Sequence, residues 1–343
     1  MSDPLRVLHV EAGRHLYGGA RQVLYLLEGL ARDGVVNLLV CPAGSAIAQA
    51  AAHCERVHAV PLGGDLDLGL VLRLRRVIRL ERPDLVHVHS RRGADLLGGI
   101  AARLAGVPAI LSRRVDNPEP WIGVQLKYRL YTRVITISEG IRQVLLAAGL
   151  APSKVVCVRS AVDPRPYRAK CNADWFCREL GLAPGNRTLA VVAQLIERKG
   201  HAYLLEALPP ILARHPELRV LLFGRGPLEG ALRGRIQELG LADKVRLVGF
   251  RTDLERILPC LDLLVHPATL EGLGVSLLQA AAAGLPMVAS PRSCATGRPA
   301  CWFRRGTARP SARRYSGCST TRTRRAPWGH GVGPWWSGSS RSR

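Results

Sequence analysis

Nine cysteines are scattered through the 343 residues, but no C-x-x-C pair and no regular cysteine spacing is present. That excludes a zinc ribbon or a disulfide framework legible from spacing, and the expectation is reduced thiols. No apolar run is long enough to span a membrane, and no secretory leader precedes the first strand-like stretch, Leu5-Arg-Val-Leu-His-Val10. The expected location is the cytoplasm, or the inner face of the cytoplasmic membrane as a peripheral protein. Acidic residues and lysine are missing altogether from residues 291–343, which hold twelve of the arginines and four of the six tryptophans. The net charge of +23 therefore does not describe the whole chain. Without that tail, 37 basic residues stand against 26 acidic ones. This moderate excess suits an anionic substrate or a membrane surface, and argues against a nucleic-acid partner.

What is present is a regular alternation of short apolar runs and helical periodicities. Strands are expected at Leu5–Val10, Val35–Val40, Pro83–Ser90, Val107–Ser112, Arg133–Ser138 and Val155–Asp163. A second series begins at Thr188–Ala193 and continues at Leu218–Phe223, Val245–Arg251, Leu261–Val265 and Met287–Ala289. Amphipathic helices are expected over Ala20–Arg32 and Leu70–Arg82, the latter with a strongly basic face that is read first as a solvated face, with membrane-surface contact as the alternative. Strand–helix alternation in two series, broken by a Pro-rich polar stretch, predicts two doubly wound α/β domains facing one cleft. The boundaries are 1–165 for the first domain, 166–186 for the linker, 187–290 for an incomplete second domain, and 291–343 for an aberrant, disordered tail.

The most informative stretch is His266-Pro-Ala-Thr-Leu-Glu-Gly-Leu-Gly-Val-Ser-Leu-Leu-Gln-Ala-Ala-Ala-Ala-Gly-Leu-Pro-Met-Val-Ala289. A strand ends in it, Glu271 sits in a Gly-flanked loop, a helix opens near Val275, and Gly284 with Pro286 stops that helix. The backbone N–H groups of Gly272, Leu273 and Gly274 at a helix start suit a phosphate. Glu271 lies too close to that phosphate to bind it, and is expected to face an uncharged hydroxyl. This pattern resembles the E-x7-E segment of retaining, nucleotide-sugar-dependent glycosyltransferases of family 4, which have the GT-B fold. Glu271 matches the first glutamate, and Gln279 stands where the second would be.

The resemblance, covering roughly residues 5–290, implies a transferase that moves a hexosyl group from a nucleoside-diphosphate sugar to an envelope glycan or lipid-linked acceptor of lipopolysaccharide type. It implies catalytic roles for Glu271, which would orient the sugar, and for Lys199, which would neutralise the leaving diphosphate. Lys199-Gly200 matches the family's G-R-L-x-x-x-K-G, with Ala193 and Gln194 replacing glycine and arginine. The donor would be held by Gly18, Gly19, Gln194, Gly224, Gly272, Leu273, Gly274 and Gln279, the last bonding the ribose. Arg91, Arg113 and Arg114, at the ends of neighbouring strands, form an expected anion pocket for the acceptor. The resemblance implies no cofactor beyond the co-substrate, which is expected to be UDP-linked. His87 and His89 share one face of a strand, but no carboxylate or third histidine lies at ligand spacing in the sequence, so no metal is expected. The departures at Gln194, Gln279 and the tail keep open an inactive nucleotide-sugar-binding pseudoenzyme or a non-functional truncated product.

Family members continue past the last strand with a P-E-x-x-x-x-G-x-x-G-x-L-V-P-P-x-D segment that is absent here. Back-translated with GC-rich codons and read one base out of step, Arg292 onward gives E-L-R-D-G-E-T-G-L-L-V-P-P-G-D. The expectation is a frameshift close to residue 290.

Overall fold

The computed structural model describes residues 3–16, 18–51, 54–90, 93–115, 119–271 and 273–290. The tail, with the frameshift expected near residue 290, lies outside these residues. Twelve strands are described: β1 Arg6–Val10, β2 Val36–Pro42, β3 Arg56–Val60, β4 Leu85–Val88, β5 Ala109–Arg113, β6 Arg133–Thr136, β7 Val155–Cys157, β8 Arg187–Val192, β9 Leu218–Phe223, β10 Val245–Gly249, β11 Leu263–His266 and β12 Met287–Ala289. They form two sheets, in the orders β3-β2-β1-β4-β5-β6-β7 and β10-β9-β8-β11-β12. Every described strand pair is parallel.

Parallel strands need a crossover between them, and helices provide it, so both faces of each sheet are covered. The near-continuous apolar runs follow from that. Leu8, Val10, Leu38, Val40, Val86 and Val88 pack on one face of the first sheet. Leu39 and Cys41 face the other way, against Val23 and Leu27 of the helix Gly18–Arg32. The second sheet is likewise buried between two apolar clusters.

Local signals explain the boundaries. The helix Gly69–Glu81 buries Leu70, Leu74, Val77 and Ile78 at helical spacing, and ends at Arg82, whose φ of 47° is left-handed, just before Pro83. The helix Glu139–Ala147 starts at Ser138, whose Oγ accepts from Ile141 N at 3.3 Å. The expected strand Val155–Asp163 is cut to three residues. Beyond it the chain turns toward the linker, and Ala161 exchanges two hydrogen bonds with the Gln22 side chain.

One expectation is corrected. Cys171, in the linker, forms a disulfide with Cys260, just before β11. The partners are 89 residues apart, so no local spacing announces the bond. Among the described residues Cys41, Cys54, Cys157 and Cys177 remain free thiols, and no helix is long and apolar enough to cross a membrane.

Candidate active site

In an open parallel sheet the ligand crevice lies outside the carboxyl ends of the strands, where the strand order reverses. Here those points fall between β1 and β4 and between β8 and β11. Both open onto one cleft of about 310 Å³. Gly18, Gly19 and Arg114 line it from the first sheet's side; Gln194, Lys199, Gly224, Glu271, Leu273, Gly274 and Gln279 line it from the second. Residues expected from the sequence to bind donor, from Gly18 to Gln279, are therefore brought together by topology alone. Gly272 and Arg91 lie outside the described residues.

Two helix starts meet in this cleft. The helix Gly18–Arg32 begins on one side, and the helix Val275–Ala282 begins on the other with Gly274 at its N-cap. A Cβ placed on Gly18 would sit 3.4 Å from Val275 Cγ2. Each helix start carries partial positive charge and unpaired N–H groups, so the space beside them favours an anion such as a diphosphate.

Lys199 and Glu271 meet because their loops are fastened together. Gly200 has a φ of 71°, and a Cβ there would fall 2.1 Å from Pro267 O, so only glycine lets the two backbones approach this closely. Thr269 N then donates to Arg198 O at 2.9 Å. As a result Lys199 Nζ donates to Glu271 Oε2. His266 Nε2, at the end of β11, donates to the same oxygen at 3.0 Å, since a carboxylate can only accept. That leaves His266 Nδ1 to accept from Ser276 Oγ at 3.4 Å. Burial alone would raise the Glu271 pKa. The His266 hydrogen bond and the Lys199 charge outweigh it and bring the pKa down to about 2. Glu271 was expected to face a hydroxyl and Lys199 a phosphate; the structure instead pairs them through Oε2, and Oε1 is the carboxylate oxygen left for a hydroxyl.

Around this centre, Gly224 has a φ of 144°, and a Cβ there would stand 1.9 Å from Ala193 O. The turn after β9 can therefore lie directly on the Gln194 loop, where Leu195 N donates to Arg225 O at 3.1 Å. Gln279 is buried and gives one Nε2 hydrogen to Tyr167 Oη at 2.7 Å, which fixes its amide against the linker and leaves its second N–H and its Oε1 for other partners. Arg114 is half-buried in the cleft wall, and its buried Nε has no hydrogen-bond partner among the described residues.

Arg113 departs from its expected role. Its guanidinium is held by Glu119 at 2.6 Å, Tyr128 Oη at 2.5 Å and Val115 O at 3.1 Å. Its charge is neutralised inside the first domain, because its side chain points into the sheet's flank while Arg114, one residue on, points to the cleft. The expected acceptor pair is thus divided, with only Arg114 on the cleft. Two further cleft residues, His266 and Tyr167, were not singled out as site residues from the sequence. The position of His266, five residues before Glu271 and at a strand end, was the available signal for it. Tyr167 had none, being placed by the linker's path.

Two family models match the chain in succession: Glycosyltransferase Family 4 over residues 17–165 and Glycosyl transferases group 1 over residues 186–312. The chain is 25% identical over 308 residues to the UDP-Gal:alpha-D-GlcNAc-diphosphoundecaprenol alpha-1,3-galactosyltransferase of Escherichia coli, with 83% of this chain and 79% of that protein covered. It is 31% identical over 134 residues to the lipopolysaccharide core biosynthesis mannosyltransferase LpsB of Rhizobium meliloti, 38% of each chain being covered. The fold is similar to that of Anabaena HepE, solved in complex with UDP and glucose, with a TM-score of 0.71 at 21% identity, covering 83% of this chain and 80% of that one. Two parallel-sheet domains, a shared cleft with an acidic centre and these matches give one assignment: the chain belongs to the family 4, group 1 glycosyltransferases of the GT-B fold.

Proposed function

We propose that this transferase uses a nucleoside-diphosphate sugar, UDP-linked, and passes the sugar with retention of anomeric configuration to a hydroxyl of an envelope glycan or lipid-linked acceptor. The observation that carries this reading is the placement of Glu271, with Oε2 held by Lys199 and His266, in a cleft that also receives two helix N-termini. The helix starts and Arg114 suit the diphosphate. Glu271 Oε1 suits a sugar hydroxyl. The UDP bound in the HepE structure and the UDP-Gal in the name of the E. coli relative support a uridine donor. That relative's diphosphoundecaprenol-linked acceptor supports a lipid-linked one here. So does an exposed apolar edge on the first domain, where Trp121, Ile122 and Leu126 are each more than 60% exposed on the helix Trp121–Tyr128.

The test is calorimetric titration with UDP, followed by incubation with UDP-galactose, UDP-glucose and UDP-N-acetylglucosamine and a polyprenyl-diphosphate-linked sugar. Proton NMR of the product reads the new anomeric linkage. The reading expects UDP binding and an α-linked product from an α-donor. A β-linked product removes the retaining mechanism, and absence of UDP binding removes the donor assignment.

A second reading is favoured by Gln194 and Gln279, neutral residues where the family has charged ones, the latter with one amide hydrogen on Tyr167. It is a chain that binds nucleotide sugar without transferring it, and in the assay above it gives UDP binding with no product. A frameshift near residue 290, expected from the sequence, would bear on which reading applies. Sequencing the coding DNA from the Gly284 codon onward is expected to restore the E-T-G-L-L-V-P-P-G-D frame, and DNA that encodes the Arg-rich tail as written would refute a sequence error.

A further inference from the structure

His87 and His89 acquire a third histidine that spacing along the chain does not show. β1 pairs with β4 so that His9 lies beside His87 in register, and His89 follows two residues on, on the same face. The three rings are buried, at 0%, 5% and 2% exposure. Their centroids lie 3.8 Å apart for His87–His89, 5.2 Å for His9–His89 and 5.6 Å for His9–His87. One ring nitrogen from each lies within 4.8 Å of the others.

The polar groups around the rings orient them inward. Asn37 Nδ2 donates to Leu27 O at 3.0 Å, which turns its Oδ1 toward His9 Nε2 at 3.2 Å. His9 Nε2 therefore carries the proton, and Nδ1 presents its lone pair to His89 Nε2 at 2.9 Å. His87 Nε2 is engaged by Ser112 Oγ at 2.8 Å. His89 Nδ1 is buried with no hydrogen-bond partner among the described residues.

We propose that His9, His87 and His89 form a structural site for one divalent transition-metal ion, zinc being the expected occupant. Imidazole ligands suit zinc and its neighbours. With Zn–N of about 2.0–2.1 Å in tetrahedral geometry and water in the fourth position, ligand nitrogens stand roughly 3.3 Å apart, against separations of up to 4.8 Å here, so binding would draw the rings together. His89 presents Nε2 once its proton moves to Nδ1. Asn37 and Ser112 then play the part of the outer groups that fix metal-bound histidines. None of the three histidines lines the cleft. The ion would clamp β1 to β4 at the switch point from which the Gly18–Gly19 helix start is launched, and its chemistry would be structural.

The test uses the full chain, refolded with Co²⁺ in chelex-treated buffer and desalted. Expected are one ion retained per chain by mass spectrometry of the metal, a visible absorption band of tetrahedral Co²⁺, and a raised melting temperature. His89→Gln is expected to lower retention more than tenfold, and Asn37→Ala to weaken affinity about 10- to 100-fold. A folded wild-type chain, checked by circular dichroism, that retains no ion or shows no tetrahedral band overturns the proposal. So does equal retention by wild type and a folded His87→Gln, His89→Gln chain, which would put the ion elsewhere. If the variants do not fold, the wild-type spectrum alone decides.

Discussion

Replacing Glu271 by Gln is expected to lower kcat for transfer by about 10²–10³-fold, the usual loss when one preorganised charge is removed from a transition state. UDP affinity is expected to hold within about threefold, because in the proposed reading the helix starts and Arg114, not the carboxylate, would receive the diphosphate. The same substitution strands the Lys199 ammonium, whose side chain is only 12% exposed. A buried charge that loses its partner costs about 3 kcal/mol, so the variant should also be less stable at neutral pH. Lys199→Met added to Glu271→Gln is expected to recover part of that stability and none of the activity, which separates the structural role of the pair from its catalytic one. The pH dependence gives an independent reading. The folded carboxyl has a pKa of about 2, below its ordinary 4.5. Its stabilisation is therefore fully present above about pH 4.5 and is lost as pH falls toward 2, on the order of 3 kcal/mol. Glu271→Gln should flatten this acid limb in urea-melt stabilities. Transfer within tenfold of wild type would leave Glu271 as a structural partner of Lys199 and nothing more.

The parallel sheets were legible because buried strands read as apolar runs, and because Gly284 and Pro286 stop a helix by backbone chemistry that any context preserves. The strand β3 was not. It lies at the sheet edge with Arg56 and Ala59 exposed, so its alternation carries little apolar signal. The helix Trp121–Tyr128 was also missed: it buries only Val124 and Tyr128 and leaves Trp121 and Ile122 outside. In the site, the residue types were readable and their partners were not. Glu271 and Lys199 could be named from their motifs, but their ion pair depends on Gly200 lying against Pro267, a contact between two crossovers. Arg113 and Arg114 look equivalent in sequence, and strand pleating sends them to different neighbours. The third histidine follows the same rule, since His9 meets His87 only through strand order.

The disulfide between Cys171 and Cys260 should be the largest single covalent contribution to stability. It closes a loop with a sequence separation of 89 residues, and a cross-link of that span restricts the unfolded chain by about 4 kcal/mol. Adding dithiothreitol to the oxidised protein is expected to lower the urea-unfolding free energy by about that amount. Cys171→Ser with Cys260→Ser should show the same loss and no further response to reductant. Alkylation and peptide mapping of the denatured, unreduced chain should leave Cys171 and Cys260 unmodified while Cys41, Cys54, Cys157 and Cys177 react. The bond lies where stability and donor binding meet. Asn172, next to Cys171, caps the helix Ala173–Glu179 by accepting from Trp175 N at 3.0 Å, and Arg256 stacks on the Trp175 ring at 4.0 Å. The same linker carries Tyr167, whose hydroxyl takes the Gln279 hydrogen bond at the cleft. Reduction is therefore expected to weaken UDP binding only a fewfold, because the Tyr167–Gln279 bond and the apolar packing of Tyr167 and Phe176 remain. A full complement of free thiols in protein purified without reductant would show that the two sulfurs stay reduced. The linker would then be held by its caps and its apolar core alone.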